Sequence, residues 1–316
     1  MPQPFRFSAS MPRLTQPMSA WRDQLRRIED LGYWSVTISD HFTRGWVMEP
    51  VVAMTAAAEA TTTLRVLPLV LANDYRHPVL VHKALATLDV LSGGRVEIGL
   101  GAGWMESDYA AANIPFDPPA VRVGRLAESV DVIKGLFGPE PLSYHGKHYQ
   151  ISGLDGLPKP VQAPHPPILV GGGGRRVLEL AGSVADIVGI NPSLRAGAAA
   201  GDALLDLTAE RFATKISIAR AAARAAGRDP ATLRFHTSIR SMDLTDVPAA
   251  QPWSSSMATN VTDPAVLAAS PAVLHGSVAS CVETLQRRRE DFGLDYIHLG
   301  GDPAAAAPIV ARLAGR

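Results

Sequence analysis

Short apolar or β-branched runs alternate with longer stretches of helical period from one end of the chain to the other, the pattern of repeated βα units around a parallel sheet. The runs that read as strands cover residues 5–10, 35–39, 64–71, 96–101, 168–171, 187–190, 234–241 and 296–299. In the first helical segment Ser19 is placed to cap, Trp21, Leu25, Ile28 and Leu31 share one face, and Gly32 suits the position just past the end. Further helices are predicted over 50–60, 79–91, 121–136, 175–182, 204–226, 278–291 and 303–313. Eight strands matched by eight helices predict an α/β fold of the (β/α)8 TIM-barrel class, a single domain over 1–316.

Two interruptions predict insertions, one after strand four and one after strand seven. Between Gly138 and Pro167, LSYHGKHYQI reads as a hairpin with His145 and His148 at its surface, and PKPVQAPHPP as a proline-stiffened approach to the next strand. Residues 242–275 mix Pro, Ser and Ala with few periodic apolar positions, which predicts a lid-like insertion over the strand ends. The Ala-rich tracts at 196–200 and 221–226 have no fixed period and suggest no repeat architecture.

Composition narrows the chemistry. Thirty basic residues balance thirty acidic ones, so there is no broad positive field for nucleic acid or an anionic membrane surface, and an anionic ligand must be gripped locally. The single cysteine, Cys281, lies in a helical stretch and reads as a buried structural thiol, in keeping with a reducing compartment. Nothing resembles an export signal or a membrane span, so a cytoplasmic location is expected. The nine histidines show no metal-ligand spacing, and there is no nucleophile elbow.

Barrel enzymes place their chemistry just past the strand ends. After strand two, Ser39, Asp40, His41 and Phe42 leave an apolar run; His41 is the acid/base candidate because imidazole titrates near neutrality, the plainer reading being that Asp40 caps a turn and His41 packs there. After strand three, Leu69, Val70 and Leu71 stay apolar, which suits the wall of a flat cofactor and equally suits barrel packing. After strand four, GLGAGWMESDYAA allows close backbone approach, but Glu106 stands where a dinucleotide fingerprint needs a third small residue. Glu106 is then either a second acid/base group or a solvated carboxylate. After strand five, Gly171, Gly172, Gly173 and Gly174 run into Arg175 at a helix start, a phosphate grip or a flexible turn; Walker A residues are missing.

Taken in order, SVTISDHF, the strand-three run ending in RHP, ATLDVLSGGRVEIGLGAGW and PVQAPHPPILVGGGGRRVLELAGSVAD resemble the signature segments of the bacterial luciferase-like oxidoreductases, in their F420-using branch. The resemblance covers most of 5–191 and returns at VLHGSVASCVETLQRRREDFGLDYIHLGG. It implies coenzyme F420, or alternatively FMN, as cofactor, with a separate reductase to supply its reduced form, and a homodimer. It implies that His41 is the proton donor or acceptor, with Glu106 and Trp46 weaker candidates. Asp40, Leu69, Val70, Ala72, Gly103, Trp104 and Tyr109 would surround the ring, Gly171–Arg175 would hold the phosphate, and the Leu69-Val70 peptide would be cis. The expected activity is F420-dependent hydride transfer with a small organic substrate; an FMN-dependent monooxygenase and a non-catalytic cofactor-binding subunit are the alternatives. Pro68 and Leu69 replace the small or hydroxyl pair common in the family. Trp104 stands where sugar-phosphate-oxidising relatives carry a glutamate, which argues against carrying over their substrate.

Overall fold

The computed structural model describes residues 3–43, 45–193, 205–247 and 270–316. In chain order the elements are β1 (Arg6–Ser10), α1 (Met18–Asp30), β2 (Ser35–Ile38), α2 (Pro50–Ala60), β3 (Arg65–Pro68), β4 (Leu71–Ala72), α3 (Pro78–Leu91), β5 (Ile98–Gly101), α4 (Glu106–Ala111), α5 (Pro119–Phe137), β6 (Leu142–His145) and β7 (Gln150–Leu154). They continue as β8 (Ile168–Gly172), α6 (Arg175–Val184), β9 (Ile187–Ile190), α7 (Ala209–Ala225), β10 (Arg234–Ser238), β11 (Ser241–Leu244), β12 (Val273–Gly276), α8 (Val278–Phe292), β13 (Leu294–His298) and α9 (Pro303–Leu313). All eight predicted βα strands are present, and the α/β class holds. The third strand is split in two around a cis Leu69-Val70 peptide, the bond the family resemblance singled out.

The helix starts follow local chemistry. Glu49 caps α2 by accepting from the Val52 N–H at 2.7 Å, Asp302 caps α9 through the Ala304 N–H at 2.9 Å, and each is followed by a proline that has no N–H to leave unpaired. Ser19 does not cap α1: it lies inside the helix, which begins at Met18, Pro17 occupies the cap position and no side chain closes that end. Leu31 is the C-cap and Gly32 follows at φ +82°, as the sequence implied. The run predicted as one strand over 234–241 stops at Ser238 and resumes as β11, which pairs in parallel with β12. The two ends of the predicted insertion are therefore joined as a ribbon, while 248–269 and the Ala-rich tract at 196–200 lie outside the described residues.

The chain divides into two compact units, Met1–Thr37 with Gly171–Arg316, and Ile38–Val170. In the first unit, parallel pairing runs from β2 to β1, from β1 to β13, from β13 to β10 and from β10 to β9. Phe7, Val36, Phe235 and Ile297 fill one side of this sheet, and Cys281 is buried in α8. In the second unit β5 pairs with β4 and with the start of β8, and the Leu69 N–H donates to the Ile38 carbonyl at 2.7 Å. The predicted hairpin is present as antiparallel β6 and β7. Glu128 of α5 holds its turn, accepting the N–H groups of Lys147, His148 and Tyr149 at 2.8, 2.7 and 3.1 Å.

Three histidines are held neutral. Burial, helped by Lys159 and Lys83, pushes His82 down to about 4. Burial, helped by His298 and Arg240, pushes His236 down to about 3, and burial with Arg240 pushes His298 down to about 4. In the unfolded chain a histidine titrates near pH 6.5. Between that value and about pH 4 the unfolded chain therefore binds more protons than the folded one, and stability falls as pH falls. The urea midpoint is expected to drop steadily from pH 7 to pH 5; a flat midpoint across that window would contradict the burial of these rings.

Candidate active site

The site lies in the second unit, where β2, the split third strand and β5 end. His41, three residues past β2, has a side chain only 13% exposed, and its Nδ1 lies 2.6 Å from Oδ2 of the fully buried Asp108. Trp46 and Trp104 flank the imidazole, with ring centroids at 5.3 and 5.7 Å. Among the described residues its Nε2 meets no hydrogen-bond partner.

Asp108 is placed by the pattern of α4. Over this short helix Met105, Asp108 and Tyr109 are buried, at the i, i+3 and i+4 spacing of one helical face, whereas Glu106 and Ser107 are exposed. Besides the imidazole, Asp108 accepts the Thr43 hydroxyl at 2.5 Å, the Thr43 N–H at 2.9 Å, the Phe42 N–H at 3.3 Å and the Tyr75 hydroxyl at 3.4 Å. Burial by itself would raise its pKa, but the Thr43 hydroxyl and His41 outweigh it and hold the carboxyl below its ordinary value. A carboxylate so fixed makes Nδ1 the protonated nitrogen and leaves the Nε2 lone pair pointing outward.

A second layer holds this pair in place. Tyr75 packs against Phe42 with tilted rings 4.5 Å apart and meets Tyr109 edge-on at 5.3 Å. Burial and the neighbouring Asp108 and Asp74 carboxylates push both phenols upward, so both stay protonated as donors. The Tyr109 hydroxyl donates to Asp74 at 3.0 Å, and Asp74 is paired with Arg125 at 2.7 Å. Gly103 turns at φ +74°, and a Cβ there would stand 1.8 Å from the Tyr109 hydroxyl, so no larger residue fits beside that ring. Arg122 anchors the same turn by donating to the Ala102 and Gly103 carbonyls.

Asp40 is buried and directed at protein groups: Arg76 reaches both of its oxygens, at 2.6 and 3.1 Å, and the Ala72 N–H donates to Oδ2 at 3.0 Å. Arg76 also binds Glu49 at 2.7 Å, so one guanidinium ties the end of β2 to the start of α2. Asp40 thereby fixes the strand ends beneath His41. Asp40→Ala is expected to lower stability by about 3 kcal/mol, the range for stripping one partner from a buried ion pair, read from the urea midpoint; a loss under about 1 kcal/mol would mean the pair behaves as a surface one.

His41, Trp104, Gly103, Tyr109, Asp40, Ala72, Leu69 and Val70 all belong to this unit. Leu69 and Val70 are half-buried, and the Leu69 carbonyl accepts from the Ser39 hydroxyl at 3.4 Å. Glu106 is exposed on the first turn of α4; the carboxylate that meets His41 is Asp108, two residues on. Asp108, Thr43, Tyr75 and Arg76 join the site only through the fold. The usable signal for Asp108 is its i+3 spacing from Met105, beside Tyr109 at i+4, which six helical residues make hard to recognise.

Gly171–Gly174 belong to the first unit, leading into α6 with Gly174 as an N-cap that has no side-chain hydrogen bond. Gly173 packs against Asn191 and Pro192, where a Cβ would come within 2.3 Å of backbone atoms, and its carbonyl accepts from the buried Lys215 at 2.7 Å. Arg175 is exposed and pairs with Glu179 at 2.7 Å. Among the described residues no cluster of three or more metal-ligating side chains occurs, and no helix is long and apolar enough to cross a membrane.

The sequence profile of the luciferase-like monooxygenases matches residues 4–242. The chain belongs to that family. It is 28% identical over 203 residues to the FMNH2-dependent dimethylsulfone monooxygenase of Pseudomonas putida, covering 59% of this chain and 56% of that protein. It is 30% identical over 166 residues to the F420-dependent glucose-6-phosphate dehydrogenase of Amycolatopsis mediterranei, covering 51% and 49%. The chain thus aligns with about half the length of these curated relatives. The coenzyme F420-dependent tetrahydromethanopterin reductase from Methanopyrus kandleri superposes with a TM-score of 0.75 over 98% of both chains at 17% identity, which shows a common fold of the predicted (β/α)8 class. Family members that use F420 and members that use FMN both occur among the relatives.

Proposed function

We propose that this luciferase-like chain is an F420-dependent oxidoreductase that moves a hydride between the deazaflavin and a small organic substrate. The observation that carries the reading is the His41–Asp108 pair, a buried carboxylate at 2.6 Å behind an imidazole whose other nitrogen opens between two indoles. The apolar walls of Trp46, Trp104, Leu69 and Val70 suit a flat, largely uncharged ring, with few polar groups to orient it. When bound, the deazaflavin supplies the carbon that takes or gives the hydride. His41 takes the proton of an alcohol at Nε2 as the hydride leaves the substrate, or returns it in the opposite direction. Asp108 keeps Nδ1–H in place and stabilises the imidazolium that forms. Gly171–Gly174, at the uncapped start of α6, would receive a phosphate through backbone N–H groups. A separate reductase or dehydrogenase renews the cofactor, and the chain pairs as a homodimer.

The runner-up, an FMN-dependent monooxygenase, is favoured by the Pseudomonas relative. Titrating the purified chain separately with F420 and FMN, by fluorescence quenching, tests the choice. Saturable F420 binding with anaerobic turnover supports the proposal. Binding of reduced FMN alone, with oxygen-dependent turnover, overturns it in favour of the monooxygenase.

A further inference from the structure

The two oxygens of Asp108 are loaded unequally. Oδ1 accepts three donors from the loop after β2: the Thr43 hydroxyl at 2.5 Å, the Thr43 N–H at 2.9 Å and the Phe42 N–H at 3.3 Å. Oδ2 meets His41 Nδ1 at 2.6 Å and the Tyr75 hydroxyl at 3.4 Å. The two backbone N–H groups already tie this loop to α4. The hydroxyls of Thr43 and Tyr75 are additional donors, and both bear on the carboxylate that faces the imidazole.

The protons of these hydroxyls can be assigned. Against the opposing effect of burial, the Thr43 hydroxyl and His41 hold Asp108 ionised, and a carboxylate only accepts, so both hydroxyls donate to it. Thr43 has a single proton. The carboxylate at 2.5 Å takes it in preference to the Met105 thioether at 3.7 Å, and the Thr43 oxygen then accepts from the Ser107 hydroxyl at 3.2 Å. Each donor satisfies part of the negative charge of Asp108, which weakens its attraction for an imidazolium at His41. The other charged or titratable groups around the pair are Tyr109, Arg122, Asp40 with its partner Arg76, Asp74 with its partner Arg125, and the exposed Glu106. None of these changes in the variants below.

We propose that Thr43 and Tyr75 are positioning residues that set the proton affinity of His41 through Asp108, with Thr43 the stronger of the two. The inference deepens the oxidoreductase reading and rests on it for its use in turnover. The full chain, labelled with 15N-histidine, is titrated with acid without cofactor, and the His41 signals are identified among those of the nine histidines by their loss in His41→Ala. Thr43→Val, which keeps the shape and removes the hydroxyl, is expected to raise the His41 midpoint by about half a pH unit relative to the parent. Tyr75→Phe keeps the ring against Phe42 and Tyr109 and raises it by less. Thr43→Ser restores the hydroxyl without the methyl and returns the parental midpoint. A role in packing alone would give the opposite order, with serine displaced and valine parental. A Thr43→Val midpoint at or below the parental one, a Thr43→Ser midpoint displaced as far as that of Thr43→Val, or a larger displacement in Tyr75→Phe overturns the proposal. Should Thr43→Val fail to fold, Tyr75→Phe decides: no upward movement overturns it. Because the titration uses no cofactor, unmoved midpoints remove this tuning and leave F420 binding untouched, whereas failure of F420 to bind leaves the displaced midpoints standing.

Discussion

Replacing His41 with alanine is expected to lower turnover by about 10²- to 10⁴-fold, the usual contribution of a positioned general acid or base, while the affinity for the cofactor changes by only a few fold. The asymmetry follows from geometry. The imidazole is held by one carboxylate at 2.6 Å and touched by two indoles at 5.3 and 5.7 Å, so its removal takes away the proton carrier and leaves Trp46, Trp104, Leu69 and Val70 as the walls of the site. Asp108→Asn provides the companion measurement. It keeps the shape of the partner but lets an amide present an N–H to Nδ1, which favours the opposite tautomer and removes the charge that stabilises the imidazolium. A fall in turnover with an acid-shifted pH limb is expected for that variant. Steady-state rates, with equilibrium cofactor titration on the same preparations, check both; equal turnover of wild-type and His41→Ala would remove His41 from the chemistry.

The largest expected effect on folding comes from Gly99→Ala. A Cβ at this position of β5 would stand 1.9 Å from the carbonyl oxygen of Pro68, a backbone atom of the neighbouring strand that cannot swing aside. The interrupted third strand and β5 must therefore move apart or the chain must fail to fold, a loss above about 4 kcal/mol. The same chemical change at Gly124, within α5, is expected to have the opposite sign. There the added methyl meets nothing closer than the His148 ring at 3.6 Å, and alanine in place of glycine in a helix stabilises by about 0.5–1 kcal/mol. Urea unfolding of the two variants beside the parent gives both values. A Gly99→Ala protein of parental stability would show that the approach of Pro68 to β5 is not as close as described.

Much of the site's placement was legible from local pattern. The apolar run ending in SDH marked the end of β2, and the hairpin of LSYHGKHYQI was readable because its strands and its Gly-centred turn are local features. The glycine run before α6 was legible for the same reason. The partner of His41 was not. Asp108 lies 67 residues further on, and a six-residue helix gives too little periodicity to separate its buried positions from its exposed ones, so Glu106 stood out equally well in the sequence. Asp40 shows the same limit from the other side. As an Asp beside a His it suggests a ligand contact, whereas Arg76, 36 residues away, occupies both its oxygens.

One side of the sheet in the first unit is polar, and it is the clearest case of information present in the sequence but unreadable without the fold. The alternation of Ser8 and Ser10, Ser35 and Thr37, His236 and Ser238, and Tyr296 and His298 can be seen in each segment separately. That these segments are neighbours is decided by the order in which β2, β1, β13 and β10 pair. By itself the sequence determined the βα alternation, the helix starts at Pro50 and Pro303 and the candidate His41, because each depends on residues within a turn or a strand of one another. Only the tertiary structure decided which carboxylate meets that histidine and which hydroxyls surround His298, because those partners are brought together by strand pairing and packing across long stretches of chain.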